Sequence, residues 1–325
     1  MFICGSTFTS PSCLFVFVRG KMFLMETQTQ CVKSNLGLVC ITHSEEVRYK
    51  TTTRKVLLSL EESAQIEKLR GIYTENVARL KMAIEYCLAN GINLYRMTSN
   101  LFPFADEAMG AEILSDYADE LGVIGADAYA RGLRLVLHPD QYVVLSSDSE
   151  TVVENSLKIL KMHARTMDLL KQPRSEWALM NIHGGKGDRI DKLVAVVAEL
   201  PDEIRSRLVF ENDEHAYSSA QILEVCRRAQ VPFVFDAHHH VCREKLDSYN
   251  HPSVEETFWA ARETWKKPEN QLVHISNGRD SFQDRAHHDL VFEMPEVFRF
   301  AEWIEIEAKH KELAITKLQT EWLNK

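Results

Sequence analysis

The sequence has no pair of cysteines at CxxC spacing, no glycine-rich GxGxxG turn after its first apolar strand, and no apolar run long enough to cross a membrane. Each absence removes a class of protein. Seven cysteines (Cys4, Cys13, Cys31, Cys40, Cys87, Cys226 and Cys242), odd in number and scattered, argue against a zinc ribbon or a disulfide framework and fit a reducing cytoplasm. The apolar piece from Leu14 to Val18 falls far short of the roughly 20 residues a spanning helix needs, and no basic segment precedes it, so neither a span nor a signal peptide is expected. Excess basic charge is lacking too. With 38 Lys and Arg against 47 Asp and Glu, the net charge is −9, which alone speaks against a phosphate-rich partner. Two or three divalent ions would add about four to six positive charges locally, so an anionic substrate stays open.

What is present describes a large globular core: 325 residues, 45% of them hydrophobic and 26% charged. Residues 1–34 show no clear period and are expected to form a poorly ordered extension, with Met25 as an alternative start. Beyond them, short apolar or β-branched runs at 36–41, 92–98, 133–138, 178–183, 208–212, 232–237, 271–276 and 303–308 read as strands. Segments of helical period at 61–90, 106–131, 149–171, 189–200, 218–230, 252–265 and 295–302 lie between them. Eight strands alternating with helices predict an α/β fold of the (β/α)8 TIM-barrel kind over 35–315, with a metal cluster at its C-terminal rim and a helical tail at 316–325. An open doubly wound sheet is the alternative, and it would need no eighth strand.

Barrel enzymes place their chemistry where strands end. Strand three ends in His138, strand four in His183 followed by "GGKGDR", strand five in Glu211, and strand six in Asp236 with the triplet His238–His240. Strand seven carries His274 and strand eight Glu307. One such residue is ordinarily a satisfied polar group, but a ring of them would be costly to bury without cations. The carboxylates Glu211, Asp236 and Glu307, with imidazoles from His138, His183, His239, His274 and His287, are too many for one tetrahedral ion. A cluster of two or three divalent ions follows, and the mixed nitrogen and oxygen donors suit Mn²⁺, Zn²⁺, Fe²⁺ or Co²⁺. Spacing alone leaves open which histidine of "DAHHH" is a ligand, because a strand running past Asp236 and a turn at Asp236 present different rings.

The ordered motifs "LGLVCI" with "TTTR", "LYRMTSNLFPFA", "LHPDQYV", "NIHGGKGD", "FENDE", "FDAHHH", "VHIS", "AHHD" and "IEAKHKE" resemble the UV damage endonuclease family over roughly residues 35 to 315. The resemblance implies a DNA-repair enzyme that nicks damaged double-stranded DNA immediately 5′ to a lesion. It implies His138, His183, Glu211, Asp236, His239, His274, His287 and Glu307 as metal ligands, Mn²⁺ as the first choice of ion with Zn²⁺, Co²⁺ or Mg²⁺ as others, and Gln141 with Tyr142 as the pair that probes the lesion by wedging into the duplex. An aromatic suits that role, since it stacks where bases have been unstacked. Glu211, Glu307 and Lys309 are the candidate catalytic residues, and Arg96, Lys186 and Arg189 the candidate phosphate contacts. Three positions depart from the pattern: Leu272 stands where some members carry a metal-bridging modified lysine, Leu38 where some carry a lesion-reading aromatic, and Asn100 where a histidine can occur. The same reading expects a cytoplasmic, nucleoid-associated monomer with no obligate protein partner and no membrane. An abasic-site endonuclease and a two-metal sugar isomerase or epimerase on the same barrel are the competing readings.

Overall fold

All eight expected strands form in the computed structural model, which describes residues 15–18, 21–24, 32–139 and 142–324. They are β1 (Asn35–Val39), β2 (Leu94–Met97), β3 (Arg134–Leu137), β4 (Met180–His183), β5 (Leu208–Glu211), β6 (Phe233–Asp236), β7 (Leu272–Ile275) and β8 (Trp303–Ile306). Neighbours pair in parallel, and β8 closes on β1, so the sheet is a barrel without edges. Parallel pairing needs crossovers, which here are helices such as α1 (Glu62–Ala89). On α1, Leu69, Ile72, Tyr73, Val77, Leu80, Ala83, Ile84 and Cys87 recur at helical spacing and are buried against the strands. Gly91, at φ +65°, ends the helix in a conformation that costs glycine nothing.

Strand alternation sorts the side chains into two sets. One set, with Leu38, Leu135, Leu137, Ile182, Phe210 and Ile304, faces the helices. The other fills the barrel. Its lower layer is apolar and includes Leu94, Val136, Leu179, Val209, Val234, Leu272 and Trp303. Gly37 leaves room for it: a Cβ there would stand 2.6 Å from the Leu94 side chain. Arg134 is fully buried among Trp177, Trp265 and Trp303, its guanidinium carbon 5.4, 5.9 and 5.2 Å from their ring centroids. It donates to the carbonyls of Glu176, Trp177 and Asn270 at 2.7, 2.8 and 3.0 Å. Above this layer the inward residues, Val39 apart, are polar, and that layer is the rim.

Several expected boundaries move. The helical stretch 106–131 divides into Ala108–Ser115 and Ala118–Ala130 because Asp116 is drawn to Arg70 at 2.7 Å and the Tyr117 hydroxyl to Thr74 at the same distance. The stretch 295–302 holds only a 3₁₀ turn, Glu296–Phe300, opened by Pro295. The last helix, Lys311–Glu321, begins ahead of the expected tail boundary and buries Ala314, Ile315 and Leu318 against β1, so it is the closing helix of the barrel. Within the N-terminal extension, Phe15–Val18 and Lys21–Leu24 pair antiparallel; the rest of 1–31 lies outside the described residues. No helix among the described residues is long and apolar enough to cross a membrane.

Candidate metal centre

Inward parity carries one polar side chain after another to the rim. His138 follows β3, His183 ends β4, Glu211 ends β5 and Asp236 ends β6, while His274 lies in β7 and Glu307 just past β8. Asp236 does two things. Its strand stops there, and its carboxylate caps the helix Ala237–Glu244 by accepting from the His239 N–H at 2.7 Å. The histidine triplet therefore begins a helix, and the helix decides which ring turns inward: His239 faces the cluster, with Nδ1 3.4 Å from Glu211 and 3.8 Å from Asp236. His238 bonds instead to the Tyr249 hydroxyl at 2.7 Å and the Asp284 carbonyl at 2.9 Å, and His240 to Ser219 at 2.9 Å.

Three groups of donors result: His138, His183 and Glu211; Glu211, Asp236 and His239; and Asp236, His274 and Glu307, the ligand atoms within each group lying within 4.8 Å of one another. Glu211 and Asp236 belong to two groups each. Glu211, 1% exposed, sends Oε2 toward His138 Nε2 at 3.4 Å and His183 Nε2 at 4.0 Å, and Oε1 toward His274 Nδ1 at 3.2 Å. Seven of the eight expected ligands converge in this way. His287 stands outside the three groups, half-buried, its ring 6.2 Å from that of His238.

The donor set fits divalent cations on two observations. Asp236 Oδ2 and His183 Nδ1 are buried with no hydrogen-bond partner among the described residues, a costly state unless an ion or water supplies one. Four carboxylates, Glu211, Asp236, Glu305 and Glu307, also meet at the rim, and Arg96 pairs with only two of them, Glu305 and Glu307, which leaves negative charge for cations to neutralise. The imidazoles register that field. Burial alone would lower His239, but Asp236, Glu211 and Glu214 outweigh it and raise its pKa to about 9. Burial likewise opposes protonation of His274, yet Glu211 and Glu305 hold it well above its ordinary value. Burial would push Glu211 up, and His274 and His183 hold it well below the carboxylate range. His183 goes the other way, lowered by burial.

The structure adds partners to the ring that strand-end reasoning missed. Glu305, two residues before Glu307 in "WIEIE", shares its inward parity and lies 3.0 Å from His274 Nε2. Asn181, two before His183, donates to Glu211. Period-two alternation would have found both. Arg96, expected at a phosphate, lies inside the barrel, its side chain 11% exposed and held by Glu305 at 2.8 Å and Glu307 at 2.5 Å. Leu38 is wholly buried under the helices, so it is a core position and not a place where a rim aromatic could stand. Leu272 fills the apolar layer beneath His274. Asn100 is exposed. Lys309 is exposed at the rim, and Lys186 and Arg189 sit on the turn after β4, paired with Asp148 at 2.7 and 3.0 Å. Tyr142 is 68% exposed on the loop after β3, and Gln141 lies outside the described residues.

A family model described as UV-endonuclease UvdE matches residues 34–324. A UV DNA damage endonuclease from Nostoc sp. is 54% identical over 290 residues, covering 89% of this chain and 90% of that protein. One from Deinococcus radiodurans is 44% identical over 287 residues, covering 87% and 94%. Among solved structures, the crystal structure of SacUVDE superposes with a TM-score of 0.76 at 27% identity, covering 88% of this chain and 98% of that one. Endonuclease IV from Thermus thermophilus, at 14% identity and a TM-score of 0.55 over 75% of this chain and 94% of its own, shares the fold.

Proposed function

This chain belongs to the UV-endonuclease UvdE family and is a UV DNA damage endonuclease of that family, and from that premise we propose that it incises damaged duplex DNA on the 5′ side of the lesion by metal-dependent hydrolysis. The single observation that carries the metal dependence is the linkage of three donor groups through Glu211 and Asp236 at the rim of the barrel. His138, His183, Glu211, Asp236, His239, His274 and Glu307 would hold the ions, with Mn²⁺ as the first candidate. Divalent ions, when bound, act as Lewis acids on a phosphodiester and lower the pKa of water.

The chain's own residues do the positioning. Arg96 offsets Glu305 and Glu307 where both are withdrawn from water. His138 Nδ1 lies 2.9 Å from the Pro139 carbonyl, which holds its proton and turns Nε2 to Glu211. Lys309 is a rim cation for the scissile strand. Tyr142, exposed on the loop after β3, is the aromatic that would stack at an opened lesion. Such an enzyme works on the nucleoid.

Purified protein with Mn²⁺ should convert supercoiled plasmid to the nicked circle after ultraviolet irradiation and leave the unirradiated plasmid intact. Nicking indifferent to irradiation would remove the lesion-specific reading, and a preference for depurinated plasmid would favour an abasic-site enzyme. No nicking with any divalent ion would return the sugar-isomerase reading to consideration.

A further inference from the structure

Beside the metal centre, the loop after β3 and the turn after β4 are fastened together. Ser146 Oγ lies 2.8 Å from the Gly184 carbonyl and accepts from the Lys186 N–H at 2.7 Å. The Tyr217 hydroxyl donates to the Lys186 carbonyl at 2.8 Å and accepts from the Arg189 N–H at 3.2 Å. Gly185, at φ +79°, makes the bend in a region that other residues rarely adopt.

On this platform three cations converge on one carboxylate. Lys186 Nζ is 2.7 Å from Asp148 Oδ2, Arg189 reaches both oxygens of Asp148 at 3.0 and 3.2 Å, and Lys192 Nζ is 3.9 Å from Oδ1. Three positive charges share this one carboxylate, and with Asp188 also acting on Arg189 the patch still keeps a positive excess on a chain whose net charge is −9. All four side chains are more than a third exposed. A surface carboxylate needs no such convergence, since one exposed pair contributes little to stability. The patch is close to the chemistry: Lys186 follows His183 by three residues, at most about 11 Å of chain, which spans about three nucleotide steps of one strand at roughly 3.4 Å each.

We propose that Asp148 occupies the position of a DNA backbone phosphate, holding Lys186, Arg189 and Lys192 in place and yielding to a phosphodiester when the duplex docks. The inference rests on the reading of this chain as a DNA endonuclease. An anion must displace Asp148 to use the three cations, so the patch adds little to casual contact with undamaged duplex. It contributes fully once the strand is already held at the metal centre. Asp148 is thus a specificity-determining residue, and Lys192 a phosphate contact in addition to Lys186 and Arg189.

The test is binding of the whole protein to a short undamaged duplex, followed by fluorescence anisotropy at low and high salt, beside nicking of irradiated plasmid. Asp148→Asn should bind undamaged duplex about two- to five-fold more tightly at low salt, the range expected for release of an exposed pair, with the gain lost at high salt. Its preference for irradiated over undamaged DNA should fall. Lys192→Gln should bind more weakly than wild type. Asp191→Asn removes the same charge from a carboxylate paired elsewhere, with Arg228 at 2.6 Å, and should show no such gain. Binding by Asp148→Asn equal to or weaker than wild type, at an unchanged thermal midpoint, would overturn the proposal, as would an equal gain in Asp191→Asn. Failure of the wild type to nick irradiated plasmid would instead remove the reading beneath it.

Discussion

His274 Nε2 lies 3.0 Å from Glu305, while His274 Nδ1 lies 3.2 Å from Glu211. Glu305 stands against one ring nitrogen and the other is turned to the donor cluster, the placement by which a buried carboxylate orients a metal-binding imidazole. Glu305→Gln should therefore weaken divalent-ion binding by about 10- to 100-fold, read by titration against a chelating dye. Wild-type affinity in the variant would show that Glu305 does not orient the ring.

Glu211 joins two of the three donor groups. Glu211→Gln should abolish nicking of irradiated plasmid and lower the metal content measured on the purified protein by mass spectrometry. Full metal content with full activity would mean that the centre lies elsewhere.

The pKa of His239, raised to about 9 by carboxylates that overcome its burial, gives a signed pH dependence. A group raised above its unfolded value stabilises the fold fully below about pH 6.5 and loses that contribution as pH rises through about 9. The thermal midpoint of chelated protein should fall across this window. Divalent-ion affinity should rise across it, because a ligating imidazole must give up its proton. His239→Asn should flatten both profiles. Calorimetry and ion titration at several pH values would show it, and flat wild-type profiles would refute the assignment.

Tyr142 is a large exposed aromatic on the rim. Tyr142→Ala should lower the ratio of irradiated to unirradiated DNA bound while leaving binding to undamaged duplex near wild type. An equal loss on both substrates would make Tyr142 a general contact.

Arg134 is held by three carbonyls and three indoles beneath the centre. Arg134→Ala leaves those carbonyls unpaired beside a cavity and should cost about 3 kcal/mol or more of stability, seen as a lower urea midpoint. A shift well under 1 kcal/mol would show that the layer relaxes around the loss.

The barrel and most of the candidate centre are legible in the sequence because both follow from local rules. Alternating apolar runs and helical periods specify eight strands and their crossovers. Period two then places His183, Glu211, Asp236, His274 and Glu307 inward at one end, and it would also have placed Glu305 and Asn181 there. Closure of the barrel decided the rest. Arg96 meets Glu305 and Glu307 only because β2 and β8 flank β1 on a closed sheet, bringing together residues more than two hundred positions apart. Which histidine of "DAHHH" faces the centre depended on Asp236 ending its strand and capping a helix at the same residue, a change of period that no spacing rule announces. The gathering of Lys186, Arg189 and Lys192 on Asp148 depended on two loops meeting across neighbouring strands. Local sequence determines which way a side chain points along its own strand; which charges then share one small space is set by strand order and closure.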